Sequence, residues 1–423
     1  MLNKHAIWLP GQGSQHIGMG RSLSERYSVV NDTMDEASEV LGMRLDNLMY
    51  HGPLPELTRT DNAQPAILAL SIAMYRIYSE EWGYTPTMAA GHSLGEITAL
   101  TCAGSITFPD ALRLVRRRGE LMQEAAAGGA GTMAAVKGLH PDIVARTCSE
   151  IRAEQAEQGY IVVVSNINSD LQTVISGHTQ AVHLASAKLT AQGAVLIPLL
   201  VSAAFHSPLM EPAASEFAEL LSSITFKEMK FPVVSALTGV PYHDSTEIAD
   251  RLARGLTEPV NWPAVLAYQR QLGANDAVEL GPGRVLTGLA PAEALRVFTF
   301  EHLEDETKRA AVIKHNSPYS IDILHRCLAI ATCVRNRNWN VAEYEQGVVM
   351  PYRGVQQLIE RMNETGDSLE EKHVQQALAM LESVFRTKGA SIEEQKRRLL
   401  RLKEEFGIQE LVNTSNPSFL VTV

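Results

Sequence analysis

The chain has 423 residues, of which 45% are hydrophobic and 20% are charged. This composition is typical of a folded globular protein and excludes a mostly disordered chain. The length favours two or three domains. The formal net charge of −11 argues against a general nucleic-acid binder.

The cysteines and histidines do not form a metal-binding pattern. The four cysteines lack CxxC spacing, and the 13 histidines form no HExxH motif, so we predict no metal and no other cofactor. The N-terminus lacks the apolar core of a signal peptide, and no stretch of about 18 apolar residues occurs. The sequence therefore predicts a soluble, cytoplasmic protein that does not contact membranes.

The first part of the chain alternates short apolar runs with helical patterns. Residues 6–9 and 88–90 are typical of buried strands, and each is followed by a glycine-containing turn. Helical spacing covers residues 63–82, the segment that ends near residue 104, and residues 109–126. Strands that alternate with helices predict an α/β domain with a parallel sheet.

Residues 131–203 have a different pattern of elements. Their order is β-α-β-β-α-β, which is typical of a ferredoxin-like fold, with a turn predicted at Asn168-Ser169-Asp170. We interpret this segment as a small subdomain inserted into the larger domain. The larger domain then resumes with a strand near 231–239, a helix near 247–255 and a strand near 277–280.

From about residue 305 the composition shifts towards charge. Ser368 and Ser391 each precede a glutamate-containing first turn, which predicts the start of two amphipathic helices, the second closed by Gly407. The predicted division is a large α/β-hydrolase-like domain (1–130 and 204–304), a ferredoxin-like subdomain (131–203), a helical C-terminal extension (305–412) and a disordered tail (413–423).

A candidate nucleophile lies in Gly91-His92-Ser93-Leu94-Gly95. This segment matches GxSxG, in which a serine is exposed on a tight turn between a strand and a helix. The following helix points its N-terminus at the serine, which favours developing negative charge. The motif alone also occurs by chance, but the strand before it and the helix after it favour a functional serine.

Two further segments are candidates for the same site. His206 follows the last predicted strand of the subdomain, at a domain junction where clefts form, although a histidine here can also be a structural residue. The loop Pro10-Gly11-Gln12-Gly13 has glycines that let backbone N–H groups face a ligand. It is either part of an oxyanion hole or a plain loop.

Nine segments in collinear order over residues 1–300 resemble the malonyl-CoA:acyl-carrier-protein transacylases and, more broadly, the acyltransferase domains of polyketide synthases. The segments are LPGQGSQ, TDNAQPAIL, GHSLGE, RRRGELMQEA, GTMAAV, NINSDLQTVISG, VSAAFHSPLM, EPVNW and ELGPGRVLTGL. The resemblance implies an enzyme that moves a malonyl group from malonyl-CoA to the phosphopantetheine thiol of an acyl carrier protein.

The resemblance also implies roles for individual residues. Ser93 is expected to carry the acyl group as an ester, and His206 to act as the general base. The imidazole is expected to be oriented by a backbone carbonyl, from Glu258 or a close neighbour, and not by a carboxylate. The backbone N–H groups of Gln12 and Leu94 are expected to form the oxyanion hole.

Substrate selection is expected from a second group of residues. By resemblance, Arg118 binds the malonyl carboxylate, for which a guanidinium is suited because it pairs bidentately. Gln64 and one of Asn166 or Asn168 are expected to line the pocket. Phe205 is expected to occupy the space of a 2-methyl group, which gives a strong but leaky preference for malonyl.

Two positions depart from the family pattern: Ala203-Ala204 replaces the more familiar Gly-Pro pair, and Glu258 stands where asparagine usually precedes Pro-Val. The chain also continues for about 120 residues beyond the usual domain size. The extension is either part of a free-standing acyltransferase that serves polyketide synthase modules in trans, or a structural tail. The alternative activity is hydrolysis of stalled acyl groups from a carrier protein. Arg118 favours transfer, because a carboxylate-binding cation is a liability for simple acyl chains.

An acidic chain needs a local basic patch to attract an acidic carrier protein. The candidates are Lys188, Arg284 and the arginines of residues 113–117.

Overall fold

A computed structural model describes residues 4–82, 84–127, 129, 131–199, 203–290, 295–300, 303, 321–365 and 369–406. Residues 4–304 form one compact unit, and the residues described after 305 belong to a second. The finer domain boundaries derived from the sequence stay predictions.

The described strands are, in chain order, β1 (His5–Leu9), β2 (Met88–Gly91), β3 (Gly131–Lys137), β4 (Val162–Ser169), β5 (Gln172–His178), β6 (Val195–Pro198), β7 (Val233–Val234), β8 (Val260–Asn261), β9 (Asp276–Glu279) and β10 (Arg296–Thr299).

The described helices of the first unit are α1 (Arg21–Ser24), α2 (Ser28–Leu41), α3 (Leu45–His51), α4 (Leu54–Thr58), α5 (Thr60–Arg76), α6 (Leu94–Cys102), α7 (Phe108–Ala126), α8 (Pro141–Glu154), α9 (Thr179–Ala191), α10 (Glu211–Ser222), α11 (Thr246–Arg254) and α12 (Trp262–Gln271). Those of the second unit are α13 (Asp322–Cys333), α14 (Val341–Tyr344), α15 (Met350–Thr365), α16 (Glu371–Lys388) and α17 (Ile392–Phe406).

A parallel sheet forms the centre of the first unit. Its strand order is β10-β9-β1-β2-β7, and every pair is parallel. All residues of β1 and β2 are buried, which explains why both strands are apolar runs without polar alternation. Because β1 and β2 are neighbours, the turns that follow them lie at the same edge of the sheet. The predicted α/β fold with a parallel sheet is confirmed.

The second sheet belongs to the inserted segment. Its order is β6-β3-β5-β4-β8, and the first four strands are antiparallel neighbours in the ferredoxin-like arrangement. The short strand β8 comes from outside the insertion and pairs in parallel with β4. The predicted turn at residues 168–170 began two residues too early, because Ser169 pairs with Gln172 and leaves Asp170-Leu171 as the turn.

Two predicted elements of the large unit have different lengths in the structure. The helix predicted over 63–82 begins at Thr60 and ends at Arg76, and a π-helical turn follows at Ile77–Glu81. The strand predicted near 231–239 contains only Val233–Val234, because the backbone beyond them turns and bonds back on itself from Tyr242 to Val233. Neither difference moves a candidate site residue off its element.

The second unit is helical, as predicted, and has its own apolar core. The buried face of α16 includes Val374, Leu378, Leu381 and Phe385. Glu370 is the N-cap of α16, where it forms a capping box with His373. Ser391 accepts a hydrogen bond from the backbone N–H of Glu394, as predicted for the start of α17. Ser368, Gly407 and the predicted tail 413–423 lie outside the described residues.

Among the helices that the structure describes, none has both the length and the apolar character needed to cross a bilayer.

Candidate functional site

Ser93 lies on a strained turn between β2 and α6. It is the N-cap of α6 with φ 55° and ψ −107°, a conformation that a non-glycine residue rarely adopts. The flanking glycines allow close packing of this turn against β1. A Cβ on Gly95 would lie 2.0 Å from the carbonyl oxygen of Leu9, and one on Gly91 would lie 1.9 Å from the carbonyl carbon of Gly95. The predicted strand–serine–helix turn is therefore present.

Arg118 points from α7 to the serine. Its side chain is almost fully buried, and Nη2 donates to Oγ of Ser93 over 3.2 Å. Nη1 donates to Oε1 of Gln64 over 2.9 Å, which fixes the plane of the guanidinium. Burial lowers the pKa of Arg118 to about 10, so the group still carries its charge at neutral pH.

His206 is also buried and is held by a backbone carbonyl. Its Nδ1 lies 2.6 Å from the carbonyl oxygen of Gly255, the residue that follows α11. This carbonyl comes from a neighbour of Glu258, and the backbone of Glu258 itself also bonds to His206. The carboxylate of Glu258 pairs with Arg254 at 2.7 Å.

The electrostatic environment keeps His206 neutral. Burial, together with the nearby positive charge of Arg118, lowers the pKa of His206 to about 3 from an ordinary value of 6.5. The Nδ1 contact with a carbonyl places the proton on Nδ1 and leaves Nε2 as a free base. His206 also has a positive φ of 54°. In the described part of the chain, Ser93 and His206 are the only non-glycine residues with a positive φ.

Ser93, Arg118 and His206 line one cavity. Its walls also include Glu96 and Gly255. No hydrogen bond joins Ser93 to His206 among the residues described, and such contacts often form only when substrate is bound. The structure thus brings the predicted nucleophile, base and cation together.

The predicted oxyanion-hole residues lie at the same edge of the parallel sheet. Gln12 is in the turn after β1, and Leu94 is the first residue of α6. Within the described ranges, neither backbone N–H has a hydrogen-bond acceptor, so both remain available to a ligand. The side chain of Gln12 is used elsewhere, since its Nε2 donates to Thr60 over 3.3 Å.

The remaining predicted pocket residues surround the site but do not line this cavity. Asn168 lies 3.0 Å, through Oδ1, from Nε2 of His92, the neighbour of Ser93. Asn166 accepts from the hydroxyl of Ser165. Phe205 is buried beside His206, and Gln64 reaches the site through its bond to Arg118.

Sequence reasoning missed two residues at the base of the site. Glu96 is buried and lines the cavity, and the hydroxyl of Tyr242 donates to its Oε1 over 2.5 Å. Burial raises the pKa of Glu96. Glu96 was visible in GHSLGE, where an acidic residue three positions after Ser93 is typical of a capping box. Nothing near Tyr242 in the sequence indicates its role.

In the described ranges, no three histidine, cysteine, aspartate or glutamate side chains are placed to hold a metal ion.

The sequence profile of the acyl transferase domain family matches residues 8–313. The malonyl CoA-acyl carrier protein transacylase of Escherichia coli K12 is 41% identical over 314 residues, which are 74% of this chain and 100% of that protein. The polyketide biosynthesis protein PksE of Bacillus subtilis strain 168 is 37% identical over 66% of this chain and 35% of its own length.

Solved structures give the same result. A malonyl-transacylase in complex with a type II PKS acyl-carrier protein superposes with a TM-score of 0.70 at 40% identity, and covers 74% of this chain and 100% of its own. FabD from Acinetobacter baumannii has a TM-score of 0.69 at 36% identity, with 74% and 98% covered. With its strained serine, buried histidine and arginine, and matching fold, the chain belongs to the acyl transferase domain family, among the malonyl CoA-acyl carrier protein transacylases.

Proposed function

We propose that this acyltransferase moves a malonyl group from malonyl-CoA to the phosphopantetheine thiol of an acyl carrier protein through an ester on Ser93. The observation that carries the proposal is the 3.2 Å contact between Arg118 and Oγ of Ser93. It places a buried cation beside the attacking oxygen, where it can bind a carboxylate on a short acyl group.

The first half-reaction uses the geometry of Ser93 and His206. Nε2 of neutral His206 takes the proton from Oγ, and Oγ attacks the thioester carbonyl. The backbone N–H groups of Gln12 and Leu94 stabilise the oxyanion. The C–S bond then breaks, and the imidazolium returns the proton to the leaving sulfur, which leaves free CoA and malonyl-Ser93.

The second half-reaction repeats these steps in reverse with a new thiol. His206 takes the proton of the carrier protein thiol, the thiolate attacks the ester carbonyl, and the proton returns to Oγ of Ser93. The carbonyl of Gly255 holds the imidazole in the required tautomer throughout. Because this acceptor is neutral, it orients the ring with less stabilisation of the imidazolium than a carboxylate would give.

Hydrolysis of acyl carrier proteins is the alternative activity, and Arg118 disfavours it. The buried guanidinium donates to Ser93 and Gln64 but forms no ion pair with a carboxylate in the described ranges. A simple acyl chain would leave this desolvated cation without a partner, whereas a malonyl carboxylate would supply one.

We further propose that the enzyme supplies polyketide synthase modules in trans. The support is the similarity to PksE and to a malonyl-transacylase bound to a PKS carrier protein. The helices from Asp322 onwards lie beyond the acyl transferase match, which ends at residue 313, and are proposed to belong to this role in trans. The cytoplasmic location stays a prediction from the sequence.

Intact-mass analysis tests the proposed chemistry. The protein is mixed separately with malonyl-CoA, acetyl-CoA and methylmalonyl-CoA, and we expect a covalent adduct of about 86 Da with malonyl-CoA. Ser93→Ala should abolish the adduct. Ser14→Ala is a suitable control, because Ser14 is a buried serine of the neighbouring loop whose hydroxyl bonds to Gly11. Labelling of Ser93→Ala would show that the nucleophile is another residue.

A further inference from the structure

Glu96 does not have the contacts that its sequence position predicts. It lies three residues after the N-cap Ser93, where a carboxylate usually bonds back to the start of the helix. No side-chain capping bond forms at the start of α6. Instead, the carboxylate of Glu96 bonds to Tyr242, to Ser235 and to the backbone of Ala236. The helix start therefore does not explain why a carboxylate is buried here.

Glu96 shares its cavity with a cation to which it does not bond. Glu96 and Arg118 both line the cavity and are both almost fully buried. The charge of each stabilises the charge of the other, yet they form no ion pair. In a buried site with few other partners, opposite charges attract strongly. Another contact must therefore keep the carboxylate of Glu96 from pairing with Arg118.

Tyr242 is the group placed to do so. Its hydroxyl donates to Oε1 of Glu96 over 2.5 Å, the short distance of a charge-assisted bond. The phenol ring is itself fixed, because the guanidinium of Arg251 lies 5.1 Å from the ring centroid. Arg251 is in turn paired with Glu247 at 2.7 Å. The hydroxyl thus has little freedom to follow Glu96 towards Arg118.

We propose that Tyr242 restrains Glu96 so that Arg118 stays open to the carboxylate of the incoming acyl group. This inference rests on the proposed malonyl transfer and names two specificity-determining positions for it. Without the hydroxyl, the carboxylate of Glu96 turns towards Arg118, the cation whose charge already acts on it. Arg118 is then occupied by a carboxylate of the protein, which competes with the carboxylate of the substrate. Acyl groups without a carboxylate do not meet this competition.

A double-mutant cycle tests the restraint. Tyr242→Phe keeps the ring under Arg251 and removes only the hydroxyl. It should raise the malonyl-CoA concentration for half-maximal acylation of Ser93 by about 10-fold or more, the order expected from one hydrogen bond to a charged group. The acetyl-CoA dependence should change little. In the E96Q background, Tyr242→Phe should have little effect on the malonyl-CoA dependence, because the competing charge is gone.

Controls separate the restraint from a general packing defect. Tyr78→Phe removes another buried hydroxyl, one that bonds to His5 away from the cavity, and should not change the preference for malonyl. If Tyr242→Phe does not fold, Ser235→Ala removes a different bond to Glu96 and should act in the same direction. Folding of each variant is checked by thermal unfolding.

The outcomes distinguish this inference from the function on which it rests. Absence of a malonyl adduct on the wild-type protein would overturn the proposed function. A wild-type adduct together with an unchanged malonyl-CoA dependence in Tyr242→Phe would overturn only the restraint. Equal losses with malonyl-CoA and acetyl-CoA, or losses that persist in the E96Q background, would also overturn it.

Discussion

Nη2 of Arg118 lies 3.2 Å from Oγ of Ser93, so the buried cation and the attacking oxygen are in direct contact. In a malonyl thioester, a single methylene separates the carboxylate from the carbonyl that is attacked. A substrate of this length can place its carbonyl at Oγ and its carboxylate on the guanidinium at the same time. The contact thereby couples recognition of the carboxylate to attack on the carbonyl.

Arg118→Ala should therefore reduce malonyl transfer far more than acetyl transfer. Loss of a charge-assisted bidentate contact lowers the malonyl rate by about 30- to 1000-fold, whereas an acetyl group never uses that contact. The measurement is the rate of Ser93 acylation by each thioester. Arg117→Ala is the matched control, because Arg117 pairs with Glu120, Glu124 and Glu216 and not with Ser93. Equal losses for both substrates would assign Arg118 a structural role.

The pH dependence of acylation should follow the lowered pKa of His206. A general base works in its neutral form, and burial together with Arg118 lowers this pKa to about 3. The imidazole therefore stays neutral as the pH falls, and the acylation rate should show no loss from its protonation between about pH 8 and pH 5. If the wild-type acylation rate instead falls to half as the pH is lowered to about 6.5, the pKa of His206 is not lowered by its surroundings.

Arg118→Ala provides a second test of the same electrostatics. The positive charge of Arg118 disfavours the imidazolium, so its removal should raise the pKa of His206 and move the acidic limb of the rate profile to higher pH. The limb should remain below the ordinary value, because burial is the larger cause and is unchanged. Acetyl-CoA is the substrate for this measurement, since its binding does not use the guanidinium.

The parts of the site that lie close together in the chain were predictable. Ser93 and its flanking glycines form a local turn, and the apolar runs before it determine that β1 and β2 are buried strands. The turn after β1 could be placed near Ser93 because neighbouring parallel strands end at one edge of the sheet. Local sequence patterns were therefore enough to indicate the nucleophile and the loop of the oxyanion hole.

The parts that depend on distant or backbone contacts were not predictable from the residues alone. Tyr242 and Glu96 are 146 positions apart, and nothing in either local sequence indicates the other. Gly255 contributes a carbonyl oxygen, which every residue has, so residue type does not mark it. Strand β8 is two residues long and forms only because β4 offers an open edge. Each of these features is created by tertiary packing.

Gly95→Ala should destabilise the first unit, although alanine is the better helix former. A Cβ at this position would lie 2.0 Å from the carbonyl oxygen of Leu9, so β1 and α6 would have to separate. We expect a loss of at least about 1–3 kcal/mol in the free energy of unfolding, measured by chemical denaturation. Gly288→Ala is the control, because a Cβ there has nothing within 4 Å. Equal stability of the two variants would mean that β1 and α6 can separate at little cost to make room for the added methyl group.

Arg284 is the basic residue that we expect to contact an acidic carrier protein. Among the predicted candidates, Lys188 pairs with Glu150 at 2.6 Å and with Glu154, and the arginines of residues 113–117 also pair with carboxylates. Arg284 is exposed and forms no ion pair with any described residue. Its loop is anchored by Glu279, which accepts from the backbone of Leu286 over 2.9 Å.

The loop of Arg284 is a neighbour of the turn that follows β1. A Cβ on Gly281 would lie 2.3 Å from Pro10, so the loop of Arg284 packs directly against the turn that holds Gln12. A positive charge here can attract an acidic partner as its thiol approaches Ser93. Because the chain as a whole has a net charge of −11, this attraction must be local and sensitive to salt.

Arg284→Glu should therefore raise the KM for the carrier protein by several-fold. Acylation of Ser93 by malonyl-CoA should change little, since that step needs only the cavity. The wild-type carrier protein step should also weaken as salt rises. Lys188→Glu is the matched reversal at a site whose charge is already neutralised by two glutamates, so it should have a smaller effect. If both reversals act equally, or if neither acts and salt has no influence, docking uses a different and mainly apolar surface.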